Sequence, residues 1–231
     1  MSLVDGLAER LAEAQQRISA AASSCARSTD DIKLIVVTKN HPTQLVFDLL
    51  DLGVRDFGEN RDQEAAPKSA EVRAKSLVEH RWHFIGQLQS NKVKSVVNYA
   101  SAIHSLDRQS LLDALGKATL DRTNPLDVFI QLNLTDDEGR GGIQPANLLP
   151  FAENVLRHPG LNLVGVMGVA ALDNNLERDF GAIRAASESL KALKPAASLI
   201  SAGMSEDFET AIAYGATHLR IGSAITGKRQ Y

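Results

Sequence analysis

Leu3, Leu7, Leu11 and Ile18 recur at helical spacing, with Glu9, Arg10, Glu13, Gln15 and Gln16 between them. That pattern predicts an amphipathic opening helix over residues 1–22. From residue 33 the chain alternates between short apolar runs and helical stripes. Residues 33–38 read as a strand. Pro42 stands where a first helical turn would start, and Leu45, Val46, Leu49 and Leu50 form a helix face ending at Gly53. A second short strand over 54–58 is followed by a polar helix over 61–76. A third strand covers 81–85, a short helix 92–99 and a fourth strand 101–106, with Leu111, Leu112 and Leu115 on the helix that follows.

The second half keeps the rhythm. Residues 127–134 form the clearest strand, then come a Gly-rich loop and a helix carrying Leu148, Leu149, Ala152 and Val155. Pro159-Gly160 breaks that helix before a sixth strand over 161–169. Phe180, Ile183, Leu190 and Leu193 stripe a long helix, and 197–201 is the seventh strand. A helix over 207–214 leads to an eighth strand over 217–221. Eight strands alternating with helices, without linker or low-complexity stretch, predict one (β/α)8 TIM barrel over 1–231, with the N-terminal helix as an addition. An open doubly wound sheet is the rival arrangement.

The 231 residues suit a barrel, which typically needs about 250. A net charge of −3 offers no basic field to attract nucleic acid or anionic lipid. Cys25 is the one cysteine, so neither an internal disulfide nor a cysteine metal cluster is expected. No secretion signal is visible in Met1-Ser2-Leu3-Val4-Asp5-Gly6, and no apolar run approaches the ~20 residues that span a bilayer. These features point to a cytoplasmic protein without membrane or nucleic-acid partners.

In a parallel barrel the active site lies at the strands' C-terminal edge, often with a phosphate held by the loops after strands seven and eight. Here those loops are Ser201-Ala202-Gly203-Met204-Ser205-Glu206-Asp207 and Arg220-Ile221-Gly222-Ser223-Ala224-Ile225-Thr226-Gly227. Both place Gly and Ser ahead of a helix start, where backbone N–H groups and hydroxyls can hold a phosphate; the same residues also serve as plain turn and cap residues. Lys39 ends the first strand on that edge, either as a solvated strand-end lysine or as a nucleophile. Carbonyl chemistry requires an unprotonated amine, which desolvation beside a neighbouring cation favours. A phosphorylated aldehyde satisfies lysine and cup together, and pyridoxal 5′-phosphate is the obvious candidate.

Arg220 can reach the barrel mouth beside the phosphate loop. Guanidinium only donates hydrogen bonds, so facing a pyridine nitrogen it would leave that nitrogen unprotonated and the cofactor a weak electron sink. A pairing with phosphate, or with Asp56 or Glu59, is the alternative. Asn60 could orient the amine or the ring oxygen. His83 and Met167 are placed either against the cofactor or in the core. His80 and His83 face opposite sides of an extended segment, which argues against a metal pair. Asn133 ends the fifth strand.

The segments Val37-Thr38-Lys39, Phe57-Gly58-Glu59-Asn60, Trp82-His83-Phe84-Ile85-Gly86-Gln87-Leu88-Gln89-Ser90-Asn91-Lys92, Gly165-Val166-Met167, Ser201-Ala202-Gly203-Met204-Ser205-Glu206-Asp207 and Arg220-Ile221-Gly222-Ser223 closely resemble the pyridoxal-phosphate homeostasis protein family. Its barrel is like the N-terminal domain of alanine racemase. The resemblance implies an internal aldimine on Lys39, with Ser201, Gly203, Ser205, Gly222 and Ser223 in or near the phosphate cup, Met204 beside them and Arg220 at the pyridine nitrogen. It also implies a regulator or carrier of the cofactor, a monomer, and apo pyridoxal-phosphate enzymes as partners. Two departures stand out. Arg140, in Asp136-Asp137-Glu138-Gly139-Arg140-Gly141-Gly142-Ile143, replaces the lysine of many relatives. Met167-Gly168-Val169-Ala170 is smaller than usual and would widen one side of the mouth.

The resemblance to alanine racemase implies that racemisation needs two opposed acid/base groups, the lysine and a tyrosine contributed by the partner subunit's additional β domain. Tyr214 falls in a helix and Tyr231 ends the chain, so inversion should be slow. The expectation is a protein that holds pyridoxal phosphate on Lys39 and buffers or delivers it. A weak amino-acid racemase is the second reading, and a Schiff-base aldolase the third.

Overall fold

The computed structural model describes residues 3–135, 137–171 and 175–227. Helix α1, Leu3–Ser24, precedes a closed barrel of eight parallel strands. In chain order these are β1 Lys33–Val37, β2 Asp56–Glu59, β3 Arg81–Phe84, β4 Ala100–Leu106, β5 Leu126–Gln131, β6 Leu161–Met167, β7 Leu199–Ser201 and β8 His218–Ile221. Between them run α2 Thr43–Asp51, α3 Asp62–Lys75, α4 Val93–Val96, α5 Gln109–Ala118, α6 Leu148–Val155, α7 Leu176–Leu193 and α8 Phe208–Ala213, with α9 Ser223–Thr226 last.

Strand β1 pairs with β2 through Val36 and Phe57 and with β8 through Ile35 and Arg220. That double pairing closes the sheet, excludes the open doubly wound alternative and leaves no strand edge unpaired. Every strand is buried on both faces, which is why the runs read as continuously apolar. The outer-facing Val36, Ile103, Val128 and Ile130 pack under the helices. The inner layer is different: Ala102, Phe129, Val164 and Met167 share the barrel interior with a polar cluster of His83, His104, Ser201 and Arg220. Gly165 lets β6 and β7 approach, since a Cβ there would collide with the Leu199 backbone.

The opening helix lies outside the ring. Leu7, Leu11, Ala14 and Ile18 are its buried stripe, and it packs against α8 and α9. Arg17 ties it to α8 through Glu209 at 2.7 Å and lies over the Phe208 ring, while Arg10 donates to the Ile225 carbonyl at 2.7 Å.

Several boundaries differ from the sequence pattern. The second strand starts at Asp56 rather than at 54, and the seventh at Leu199 rather than at 197. Leu149 and Leu193 are 39% and 37% exposed. In α6 it is Phe151, not Leu149, that shares the buried face with Leu148, Ala152 and Val155. Among the described residues no helix is long and apolar enough to cross a membrane.

Candidate functional site

At the C-terminal edge of the barrel a cavity of about 370 Å³ is lined by Lys39, Met204, Ser205, Arg220, Gly222 and Ser223. The segments after β1, β7 and β8 supply most of it, with Val37 and Arg220 from the strands themselves and Ile85 just beyond β3. Lys39 sits two residues beyond β1, and its flanks are fixed on both sides. The Thr38 hydroxyl donates to Glu59 Oε1 at 2.7 Å, and Lys68 Nζ donates to the same oxygen at 2.7 Å and to the Thr38 carbonyl at 2.8 Å. Asn40 adopts a left-handed backbone with φ 59° and donates its N–H to Glu64 Oε2 at 2.7 Å, a conformation that asparagine tolerates better than most residues. The Lys39 amine is thus delivered by a backbone held at Thr38 and at Asn40. Burial raises the Glu59 carboxyl above its ordinary range, while the Lys68 ammonium opposes that shift.

The late loops form the opposite wall. Gly203 has φ +92°, and a Cβ there would lie 2.9 Å from the Ala211 methyl, so glycine alone turns the chain here. Asp207 accepts the Met204 N–H at 2.6 Å, closing the turn; burial pushes its carboxyl up. Ser223 Oγ donates to Ser205 Oγ at 3.2 Å, and the Ala224 N–H donates to Ser205 Oγ at 3.3 Å. Two hydroxyls from different loops therefore converge where first-turn N–H groups of α9 have no carbonyl of their own helix to serve.

Arg220 stands between these walls, 5% exposed. Its Nη1 donates to Ser201 Oγ at 2.7 Å and its Nη2 to the Gly168 carbonyl at 3.0 Å. Burial pulls the guanidinium down to about 10, against the attraction of Asp207, so it remains cationic at neutral pH. The carboxylates proposed as alternative partners lie elsewhere: Asp56 with Arg81, Lys33 and His83, and Glu59 with Lys68.

The remaining candidates divide. Ser201 is fully buried behind Arg220 and does not line the cavity. His83 lies in the barrel interior, its Nε2 2.9 Å from Asp56 Oδ1 and its Nδ1 2.9 Å from His104 Nε2. Met167, 2% exposed, packs with Phe129 and Val164 in the interior. Asn60 lines a neighbouring cavity of about 620 Å³ with Gln87 and Lys92, and its Oδ1 is buried without a hydrogen-bond partner. Asn133 organises its own loop through the Asp137 carbonyl and Thr135, and Arg140 Nη2 donates to the Ala170 carbonyl at 3.3 Å. Asp136 and Tyr231 lie outside the described residues. Among the described residues no group of three or more His, Cys, Asp or Glu could hold a metal ion.

Thr38, Lys68 and His104 also frame the site, and the sequence carries little local sign of them. Lys68 looks like any solvated lysine of a polar helix, yet it is 6% exposed. The alternation in β4 was the one available signal for His104, which shares the inward face with Ala102.

Residues 8–230 match the family described as alanine racemase, N-terminal domain. The class is thus a parallel barrel presenting a lysine across its mouth from a glycine- and serine-built cup. The pyridoxal phosphate homeostasis protein of Escherichia coli is 37% identical over 231 residues, covering 99% of both chains. That of Mycobacterium bovis is 35% identical over 97% of this chain and 93% of its own. PipY of Synechococcus elongatus, solved with PLP bound, superposes with a TM-score of 0.81 at 31% identity, covering 96% of this chain and 100% of PipY. The chain belongs to the pyridoxal phosphate homeostasis protein family.

Proposed function

We propose that the protein binds pyridoxal 5′-phosphate, holds it on Lys39, and acts in intracellular homeostasis of the cofactor by buffering or delivering it, without a dedicated turnover reaction. One observation carries this reading: Lys39, Arg220 and the Ser205–Ser223 hydroxyl pair line a single cavity of a size ordinary for small-molecule sites. The donor set fits the molecule. An amine faces the aldehyde, hydroxyls and backbone N–H groups face the phosphate dianion, and a cationic arginine remains for the ring. The cofactor, when bound, supplies an electrophilic carbonyl conjugated to a pyridine ring.

Each residue then has a distinct task. Lys39 Nζ attaches the aldehyde carbon, and the clamp from Glu59 and Lys68 on Thr38 limits where that amine can go. Ser205, Ser223 and the Gly222 turn hold the phosphate, with Gly203 shaping the wall. Met204, 39% exposed on the cavity lining, would cover the outer side of a bound cofactor. Arg220 would hold the ring nitrogen as a donor and, being unable to accept a proton there, would keep the ring a weak electron sink. The same feature makes slow racemisation of amino acids the second reading, because that reaction needs less electron withdrawal than transamination. Recipients are apo pyridoxal-phosphate enzymes of the cytoplasm, and the working unit is a monomer.

The visible spectrum of the purified protein incubated with pyridoxal phosphate, beside that of Lys39→Ala, tests this reading. A band of the attached cofactor in the wild type that is absent from the variant is expected. Equal spectra would overturn it. Rapid α-proton exchange of a free amino acid by the loaded protein would replace carriage with racemisation.

A further inference from the structure

Five buried groups form an unbroken hydrogen-bonded line through the barrel interior. Arg220 Nη1 meets Ser201 Oγ at 2.7 Å, Ser201 Oγ meets His104 Nδ1 at 2.7 Å, His104 Nε2 meets His83 Nδ1 at 2.9 Å, and His83 Nε2 meets Asp56 Oδ1 at 2.9 Å. All five residues are at least nine-tenths buried. The ends are chemically fixed. Guanidinium donates only, and a carboxylate held by Arg81 at 2.9 Å and Lys33 at 3.4 Å is ionised and accepts only. With both imidazoles neutral, the form their burial favours, each inner group accepts from the Arg220 side and donates toward Asp56. Both then carry their proton on Nε2 and leave Nδ1 as acceptor. Every link has one proton, and none is contested.

We propose that His104, His83 and Asp56 are positioning residues which, through Ser201, lock the Arg220 guanidinium in the orientation it presents to the mouth. The negative end at Asp56 polarises the line, making Ser201 Oγ a stronger acceptor for the arginine in a low-dielectric interior. Phe129 stacks on His104 with ring centroids 4.3 Å apart. Burial holds both imidazoles below their ordinary range, with Asp56 favouring the charged form of His83 and the cations Lys33 and Arg81 opposing it. His218 borders the line, its ring 6.3 Å from His104, but bonds Thr217 instead. Asp207 faces Arg220 from the cavity side.

The relay exists in the protein without cofactor; its consequence for the ring nitrogen rests on the proposed function. Nitrogen-15 NMR of the histidine- and arginine-labelled free protein reads it directly. Nε2–H tautomers for both His83 and His104, and two separate, slowly exchanging Nη signals for Arg220, are expected. In His83→Leu the Nη signals should merge, while Val164→Ala, a packing loss in the same interior layer, should leave them separate. An Nδ1–H tautomer at either histidine in the wild type would overturn the relay even if His83→Leu fails to fold. So would an unchanged Arg220 in a folded His83→Leu. Pyridoxal phosphate uptake, measured separately by titration, should weaken about five-fold in His83→Leu. No uptake by the wild type would sink the cofactor reading and leave the relay standing.

Discussion

The barrel's interior and its mouth, one layer apart, satisfy their polar groups in opposite ways. From Arg220 down to Asp56 each side chain spends its hydrogen bonds on the next, under complete or near-complete burial. At the mouth, Lys39 is half-buried, Ser223 is exposed, and the Ser205–Ser223 contact is a long 3.2 Å. A satisfied interior specifies one arrangement, whereas loosely engaged donors on a rigid rim are free to take a ligand. Arg220 belongs to both regions, anchored below and open above. The clamp of Glu59 and Lys68 on Thr38 extends the interior's rigidity to the segment that carries Lys39.

Breaking the interior should therefore cost the fold, and breaking the rim should cost only the ligand. Gly165→Ala forces a Cβ into the Leu199 backbone. It should destabilise by on the order of 4 kcal/mol or more, read by urea denaturation. Acid should act on the same layer. Burial lowers His218 to about 3 and also lowers His83 and His104. The unfolded chain takes up protons near pH ~6.5 while the folded imidazoles do not, so stability must fall as pH drops below that value. For His218 the loss between pH 6.5 and 5 is about 1.6 kcal/mol, and His83 and His104 act in the same direction. His218→Met should flatten the denaturation midpoint's dependence on pH. Asp56, raised by burial but carried well below the carboxylate range by its bonds from His83 and Arg81, adds stability that persists above pH ~4 and disappears below it.

Smaller effects lie at the boundary and the rim. Thr38→Val removes one donor to the buried Glu59 and should cost about 1–2 kcal/mol, while slowing attachment at the neighbouring Lys39 in a stopped-flow uptake assay. Ser223→Ala should leave stability within ~0.5 kcal/mol and weaken pyridoxal phosphate binding about three- to ten-fold by titration. If Ser223→Ala unfolded the protein, or left binding untouched, the separation of rim from interior would be wrong.

The same contrast explains what the sequence disclosed. The barrel was legible because doubly buried strands leave apolar, β-branched runs such as Leu34-Ile35-Val36-Val37, and because Gly and Pro punctuate the helices between them. The rim was legible too, since Lys39, Ser205, Arg220 and Ser223 lie at strand ends where barrel chemistry gathers. The interior line was not. His104 meets Ser201 across 97 residues, and Lys68 meets the Thr38 carbonyl across 30. No local pattern links such partners. Leu149 and Leu193 misled for a related reason: helical spacing marks a stripe but not where the neighbouring helix ends and solvent begins.

Attachment of the cofactor to one named amine is the claim on which the functional account turns. Reduction of the loaded protein with borohydride, followed by proteolysis and mass spectrometry, locates that bond. The account predicts a pyridoxyl-phosphate label on the peptide containing Lys39, in near-stoichiometric amount, and none on that peptide in Lys39→Ala. A label confined to Lys33, Lys68 or another lysine, with Lys39 unmodified, would contradict it.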